Sequence, residues 1–284
     1  MVLELLFNPF SLKKKPWEMF IGGFFYSIVA LMLSYLVFRE IAGILMVFLI
    51  VLSTLPMVYT AIKNEEELDL RYDKEWFLLK EHTKVLIFLM FLFLGITVAL
   101  MFAYLILPQS VTNIIFDLQR TAIINVNSSI QSSVTGGVTK LELLGKIMFN
   151  NIKVLFFCLL FSLLYGAGAI FILTWNASVI ATAIGALVKT EIAKASSVIG
   201  FTSISSYFGI TTFSFFRYMI HGFFEIAAYF IAGLAGGIIS IALIKHNLKE
   251  RRVLVDSLDL ILISLAMLLV AALIEVFITP ILFG

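Results

Sequence analysis

Long apolar runs constrain this chain more than any other feature. Six stretches, each bounded by charged or turn-forming residues, follow one another at residues 19–38, 41–62, 85–107, 152–175, 222–244 and 258–279. A helix of about 20 apolar residues spans the hydrocarbon core of a bilayer, which is about 30 Å thick. A soluble domain would expose such runs to water, because 61% hydrophobic and 13% charged residues are too apolar a mixture for one core. We therefore expect an all-α fold, a polytopic transmembrane helical bundle.

The distribution of lysine and arginine predicts the number of crossings. Short loops rich in these residues stay in the cytoplasm. The lysines at 13–15 place the N-terminus there, and the basic segment 245–252 belongs on the same side. Four crossings before residue 222 would put that segment outside, so we predict an additional crossing at 176–195, with 196–218 as an outer interfacial or re-entrant segment. The expectation is about seven membrane helices in the cell membrane, with a cytoplasmic N-terminus and an external C-terminus.

Two polar connections divide the chain. Residues 63–84 are the most polar segment and partly amphipathic, which favours a position in water or along the headgroups. Residues 108–150 are rich in Ser, Thr, Asn and Gly, and we expect them to be extramembrane with interfacial helices. The predicted organisation is a transmembrane hairpin with its charged cytoplasmic linker (1–84), followed by a five-helix core (85–284).

Several classes of function are not indicated by the sequence. A net charge of +2 gives no reason to expect nucleic acid binding. The HExxH, GxSxG and Walker A patterns are absent, and the single cysteine, Cys158, can build neither an intrachain disulfide nor a cysteine metal cluster. We predict no enzymatic activity, no catalytic residues, no cofactor and no metal.

The segment HGFFE places His221 and Glu225 four residues apart, on one helix face near a membrane boundary. Ionisable groups at that depth are costly unless they face protein or water, so the pair is a functional hypothesis. The structural interpretation, which we favour, is a hydrogen-bonded clamp that fixes a helix end or holds a neighbouring helix. No third His, Cys or carboxylate is obviously placed for zinc.

Asparagines and glycines form a second constellation, made of Asn150, Asn151, Gly166, Gly168, Asn176 and Gly185. Asparagine near a helix boundary can cap backbone donors or bond across helices, and glycine allows close approach or bending. Packing is the simpler interpretation. The alternative is a broken helix that lines a substrate path, as in many transporters.

The segment AGLAGG carries the small-xxx-small pair Gly233 and Gly237. Such pairs favour close helix contact, either within the bundle or between subunits. We group Gly222, which follows His221, with these packing glycines.

Three motifs together resemble the stage II sporulation protein M family of integral membrane proteins: FNNIKVLFF with Asn150 and Asn151, GAGAIFILTWN with Asn176, and HGFFEIAAYFIAGLAGG with His221 and Glu225. Their order also matches, with a long external loop before the asparagine-led helix and a final span after the HGxxE helix. The resemblance covers roughly residues 85–284 and leaves 1–84 outside it.

The resemblance implies a non-enzymatic membrane component. In spore-forming bacteria the family is similar to a membrane scaffold that recruits peptidoglycan-degrading partners at the septum. We expect a membrane scaffold or assembly factor that forms a homo-oligomer among membrane lipids and contacts other membrane or envelope proteins. The alternative is a transporter or channel with a polar site at His221 and Glu225. An intramembrane enzyme would need a further catalytic group beside Glu225.

Overall fold

The computed structural model describes residues 16–71, 75–134, 139–165, 168–199, 204–244 and 251–283. Within these ranges all regular structure is helical, and seven helices are long and apolar enough to cross a membrane. The predicted all-α, polytopic bundle of seven membrane helices is therefore confirmed.

The helices follow one another with short connections. Their bounds are α1 (Trp17–Val37), α2 (Ala42–Arg71), α3 (Glu75–Ile106), α4 (Gln109–Ile115), α5 (Asp117–Val134), α6 (Lys140–Tyr165), α7 (Ala169–Ile199), α8 (Ile204–Ile244), α9 (Arg251–Leu273) and α10 (Thr279–Phe283). A 3-10 turn joins α1 to α2, and a π-helical turn (Ile274–Ile278) joins α9 to α10. The membrane-crossing helices are α1, α2, α3, α6, α7, α8 and the continuous α9–α10 unit.

The fourth and fifth crossings begin and end at other residues than those predicted. Their predicted bounds were 152–175 and 176–195, whereas α6 ends at Tyr165 and α7 begins at Ala169. Asn176 therefore lies inside α7 rather than at its start. The polar residue was mistaken for a helix boundary, although one asparagine is readily accommodated within a packed membrane helix.

A capping box explains why α6 starts as early as it does. The Thr139 amide donates to Glu142 Oε2 at 2.9 Å, and the Glu142 amide donates to Thr139 Oγ1 at 3.3 Å. This reciprocal pair satisfies backbone donors at a helix N-terminus. Residues 140–150, predicted to be extramembrane, consequently form the first part of a membrane helix, whereas α4 and α5 occupy the earlier part of that connection.

Helix α8 is longer than predicted. The expected outer segment 196–218 is instead divided between the end of α7 and the continuous helix that runs from Ile204 to Ile244. Nothing in that helix breaks it, since no proline occurs and an isolated Gly209 is tolerated at a cost of about 1 kcal/mol. The polar linker 63–84 is likewise helical at both ends, where α2 continues to Arg71 and α3 begins at Glu75.

The N-terminal hairpin packs into the rest of the bundle. A Cβ at Gly23 would lie 2.6 Å from the Leu92 carbonyl oxygen, and a Cβ at Gly95 would overlap the Phe20 carbonyl, so α1 and α3 touch backbone to backbone. Buried apolar residues from Met19 to Leu268 form one continuous cluster. The hairpin and the five later membrane helices thus share a core.

Side-chain contacts fix the relative directions of the helices. Asn151 meets Glu225, and Ser162 meets Gly236 further along the same two helices, so α6 and α8 are parallel. His221 meets Thr279, so the last crossing runs antiparallel to α8. We call the end of the bundle that carries the starts of α6 and α8 and the end of α3 the distal end, and the other the proximal end.

Helices α4 and α5 fold back onto the distal end. The Tyr104 and Phe116 rings pack with their centroids 5.2 Å apart. The Gln119 Nε2 group donates to Ser178 Oγ at 3.2 Å, which ties the start of α5 to α7. This contact places the start of α5 beside the first half of α7.

Candidate functional site

A cluster of polar side chains lies where α6, α8 and the π-helical turn meet, towards the distal end. Its best-defined contact is a hydrogen bond in which Asn151 Nδ2 donates to Glu225 Oε1 at 2.5 Å. Asn151 is 7% exposed, and Glu225 is half-buried. The bond joins two parallel helices through residues that both belong to the motifs singled out in the sequence.

His221 makes a second link, one turn before Glu225. Its Nδ1 lies 3.5 Å from Thr279 Oγ1, and the Thr279 hydroxyl also donates to the Ile274 carbonyl at 3.2 Å. This contact joins α8 to the end of the last membrane crossing. His221 and Glu225 therefore share a helix face, as their spacing indicates, yet each contacts a different neighbouring helix.

Glu275 is a functional candidate that the sequence interpretation missed. It lies in the π-helical turn, and its carboxyl group is near enough to that of Glu225 for electrostatic interaction. π-helical turns inside α-helices are frequently found at functional sites. The signal was available, because a carboxylate within an otherwise apolar membrane run is a functional hypothesis in its own right.

Tyr229 completes the cluster on α8, one turn beyond Glu225. It is 4% exposed and interacts electrostatically with both Glu225 and Glu275. The buried thiol of Cys158 lies near the same phenol. The sequence analysis missed Tyr229 because the apolar stretch around it, EIAAYFIA, is typical of ordinary helix packing.

The other two predicted asparagines are placed differently. Asn150 is exposed, because one helical step turns it away from the face that Asn151 presents to α8. Asn176 has a buried Nδ2 without a hydrogen-bond partner among the described residues. Ala169 opposes Gly233 in the α7–α8 pair, so Asn176, two turns further along α7, lies at the depth of Glu225.

The glycines of AGLAGG allow close contacts between helices inside the bundle. A Cβ at Gly233 would lie 2.8 Å from the Ala169 Cβ, and a Cβ at Gly236 would lie 2.7 Å from the Leu159 carbonyl oxygen. Gly237 is buried in the same stretch. The close approach at Gly233 and Gly236 is therefore between α8 and its neighbours α6 and α7.

The remaining predicted packing glycines give mixed results. A Cβ at Gly168 would overlap the Phe161 carbonyl, so this position before α7 requires glycine. A Cβ at Gly222 would meet no described atom within 4 Å, which gives no support to a packing role there. Gly166 lies outside the described residues.

The geometry of the cluster suits a clamp between helices. It joins α6, α8 and the last crossing through side chains that occur at separated positions in the chain. Within the described ranges, no group of three or more His, Cys, Asp or Glu side chains has an arrangement able to hold a metal ion.

Comparison with known protein families shows which family the chain belongs to. The sequence profile described as Stage II sporulation protein M matches residues 34–280. The chain belongs to the stage II sporulation protein M family. The resemblance inferred from the three motifs is thereby confirmed, whereas no curated protein and no solved structure gives a significant match.

The stage II sporulation protein M match begins earlier than the motifs indicated. It includes the end of α1, all of α2 and the charged segment 63–84, which we had expected to lie outside the resemblance. All six described residues of the polar cluster, from Asn151 to Thr279, also lie within the match. The cluster is thus part of the region that the chain shares with the family.

Proposed function

We propose that this member of the stage II sporulation protein M family is a non-enzymatic membrane scaffold or assembly factor. The observation that carries the proposal is the distal part of α8, residues 204–219, which we call the aromatic arm. The length of α8 and the exposed side chains of this part give the protein a contact surface at its distal end.

The length of α8 exceeds what a bilayer requires. Its 41 residues correspond to about 61 Å, against a hydrocarbon core of about 30 Å. Glu225 contacts Asn151, which lies at the middle of the α6 crossing (Lys140–Leu163), so α8 continues within the membrane for about ten residues from Glu225 towards the distal end. Even a tilt of 40°, the upper end of the usual range, leaves a considerable part of the helix beyond the hydrocarbon. The distal part of the aromatic arm belongs to this excess.

The aromatic arm has an apolar surface, although its distal part belongs to the length of α8 that exceeds the thickness of the hydrocarbon. The exposed fractions are 47% for Tyr207, 75% for Phe208, 46% for Phe213 and 54% for Phe216. Arg217 is the one charged residue in the arm. Contiguous apolar patches on a surface mark interaction sites, and aromatic residues are enriched at the centres of protein interfaces.

The polar cluster supports this proposal because it lies at the base of the aromatic arm. Asn151 holds Glu225 from α6, and Thr279 holds His221 from the last crossing. These two links, one from each helix, hold α8 in place next to the aromatic arm. On this proposal the HGFFE motif is a positioning element for the arm.

Self-association, which the sequence suggests, would also need a surface outside the core. Gly233 and Gly236 are engaged within the bundle, so the AGLAGG face is not free to bind a second copy. The proposal therefore assigns contacts between copies, as well as contacts with other membrane or envelope proteins, to the aromatic arm.

Site-specific photocrosslinking in native membranes tests the proposal. A photoreactive amino acid replaces Phe208 in the arm or, as a control matched in exposure, Leu36 of α1, which is 72% exposed. We expect discrete protein adducts at position 208 and none at 36. An adduct with the mass of two chains identifies self-association, and any other discrete mass identifies a different partner. Absence of adducts at 208, or the same adducts at both positions, contradicts the proposal.

Transport is the second candidate, and the position of Glu275 favours it specifically. Glu225 on α8 and Glu275 in the π-helical turn bring two carboxyl groups near each other, and such a group is of the kind that binds cations or protons in membrane transporters. This candidate predicts a proton or cation flux into vesicles that contain the purified chain, and its loss in Glu225→Gln. A wild-type flux no greater than that of empty vesicles would exclude it.

A further inference from the structure

A second polar feature lies at the distal end, away from the cluster around Glu225. It is an open cleft of about 620 Å³ between the end of α3, the starts of α4 and α5, and the distal half of α7. This volume lies in the range of about 300–1,000 Å³ that is usual for small-molecule sites. Its lining includes Tyr104, Gln109, Arg120, Lys189 and Lys194.

The charges in this cleft do not cancel. Lys194 pairs with Glu191 at 2.8 Å. Lys189 lies over the Tyr104 ring, with its Nζ 4.9 Å from the ring centroid, and Arg120 donates to the amide oxygen of Asn113. Both of these partners are neutral, and within the described ranges no carboxylate pairs with Arg120 or Lys189. The cleft therefore retains two positive charges.

Neutral contacts hold the arginine in place. Asn113 Oδ1 accepts from Arg120 and also from Gln109 Nε2, the latter at 2.9 Å. The guanidinium group is thus oriented without being neutralised. A planar guanidinium with unused donors is the group best suited to bind a phosphate oxygen pair.

The position of the cleft favours the phosphate of a lipid over a free phosphate ion. The crossing of α3 ends at Ile106, and that of α7 ends at Ser196, so Tyr104 and Lys189 lie near a membrane boundary. Phospholipid headgroups occupy this level, where tyrosine and lysine are favoured. Ala186 and Ala193 add apolar lining between the cations. An amphiphile with a phosphate fits such a lining better than a free ion does.

We propose that this cleft binds the headgroup of an anionic phospholipid, one that carries a phosphate and no amine. The phosphate lies between Arg120 and Lys189, and the acyl chains extend along α3 and α7. Because two positive charges face one phosphate, a headgroup with its own cation is disfavoured.

Native mass spectrometry of the full chain measures this preference. The protein in detergent is exposed to equal amounts of phosphatidylglycerol and phosphatidylcholine, and the lipid that stays bound is counted. We expect wild type to retain phosphatidylglycerol. The double substitution Arg120→Gln/Lys189→Gln removes two charges near the headgroup and should weaken phosphatidylglycerol binding about thirtyfold.

The matched control removes two cations elsewhere. Lys140 and Lys153 are exposed, lie over the rings of Phe277 and Phe149, and do not line the cleft. Lys140→Gln/Lys153→Gln should leave phosphatidylglycerol binding unchanged. Equal retention of the two lipids by wild type, or equal loss in both double variants, overturns the proposal.

Two further measurements separate the remaining explanations. Arg120→Lys/Lys189→Arg keeps both charges and should keep the preference for phosphatidylglycerol, so its loss contradicts an electrostatic site. Excess inorganic phosphate should displace little of the lipid. Complete displacement would show that the cleft binds free phosphate, and the lipid assignment would be wrong.

Discussion

Neighbouring residues in this chain have different environments because a helix turns by about 100° at each step. Asn150 is exposed, whereas Asn151 is buried and donates to Glu225 across the contact between α6 and α8. The motif FNNIK therefore contains one asparagine that holds a neighbouring helix and one that does not.

The substitution Asn151→Leu tests this difference. It leaves the Glu225 carboxyl group without that donor inside the protein, which should lower the free energy of unfolding by about 1–3 kcal/mol. Asn150→Leu is the matched control and should change it by less than about 0.5 kcal/mol. Thermal unfolding of the two variants in one detergent provides the comparison. Equal midpoints would argue against the clamp.

At this scale the sequence predicted only part of the site. His221 and Glu225 could be found because their spacing alone puts them on one face. Glu275 and Tyr229 were missed, since both lie in apolar runs that were assigned to lipid or packing. Which residues meet across helices, such as His221 and Thr279, depends on helix register, and no local pattern carries that information.

At the scale of single helices, close backbone contacts decide where glycine is required. A Cβ at Gly236 would lie 2.7 Å from the Leu159 carbonyl oxygen and 2.9 Å from the Ser162 Cβ, whereas a Cβ at Gly222 would meet no described atom within 4 Å. Both glycines lie in α8, so they have the same intrinsic effect on the helix.

This contrast predicts opposite effects for one substitution. Gly236→Ala forces α6 and α8 apart and should destabilise the protein by about 1–3 kcal/mol. Gly222→Ala meets open space and should stabilise the helix by up to about 1 kcal/mol. Thermal unfolding of both variants checks the signs. If Gly236→Ala were as stable as wild type, the tight contact between α6 and α8 would be refuted.

Helix existence could be predicted from the sequence better than helix boundaries could. Twenty apolar residues leave few alternatives to a membrane crossing, and this argument located six of the seven directly. The boundary between α6 and α7 was misplaced because Asn176 looked like a helix end. The start of α6 was misplaced because the capping pair Thr139 and Glu142, which is visible in the sequence, was not used.

At the scale of the whole molecule, the positions of the basic residues predicted a membrane crossing that hydropathy alone did not. The seventh crossing was inferred only from the need to bring the basic segment 245–252 to the cytoplasmic side, and the structure has the corresponding helix in α7. The length of α8 could not be predicted this way, because the positive-inside rule counts crossings and does not determine how far a helix continues beyond the membrane. The aromatic arm and the basic cleft thus became visible only in three dimensions.

The most direct test of the account is the sidedness of two single cysteines. Ser110→Cys lies at the distal end, Lys249→Cys lies in the basic segment, and the three crossings α6, α7 and α8 separate them. The unsubstituted chain is the control, because Cys158 is buried. With a membrane-impermeant maleimide on intact cells, we predict labelling at 110 and labelling at 249 only after permeabilisation. Labelling of both positions in intact cells would contradict the seven-helix arrangement and, with it, the position of the aromatic arm.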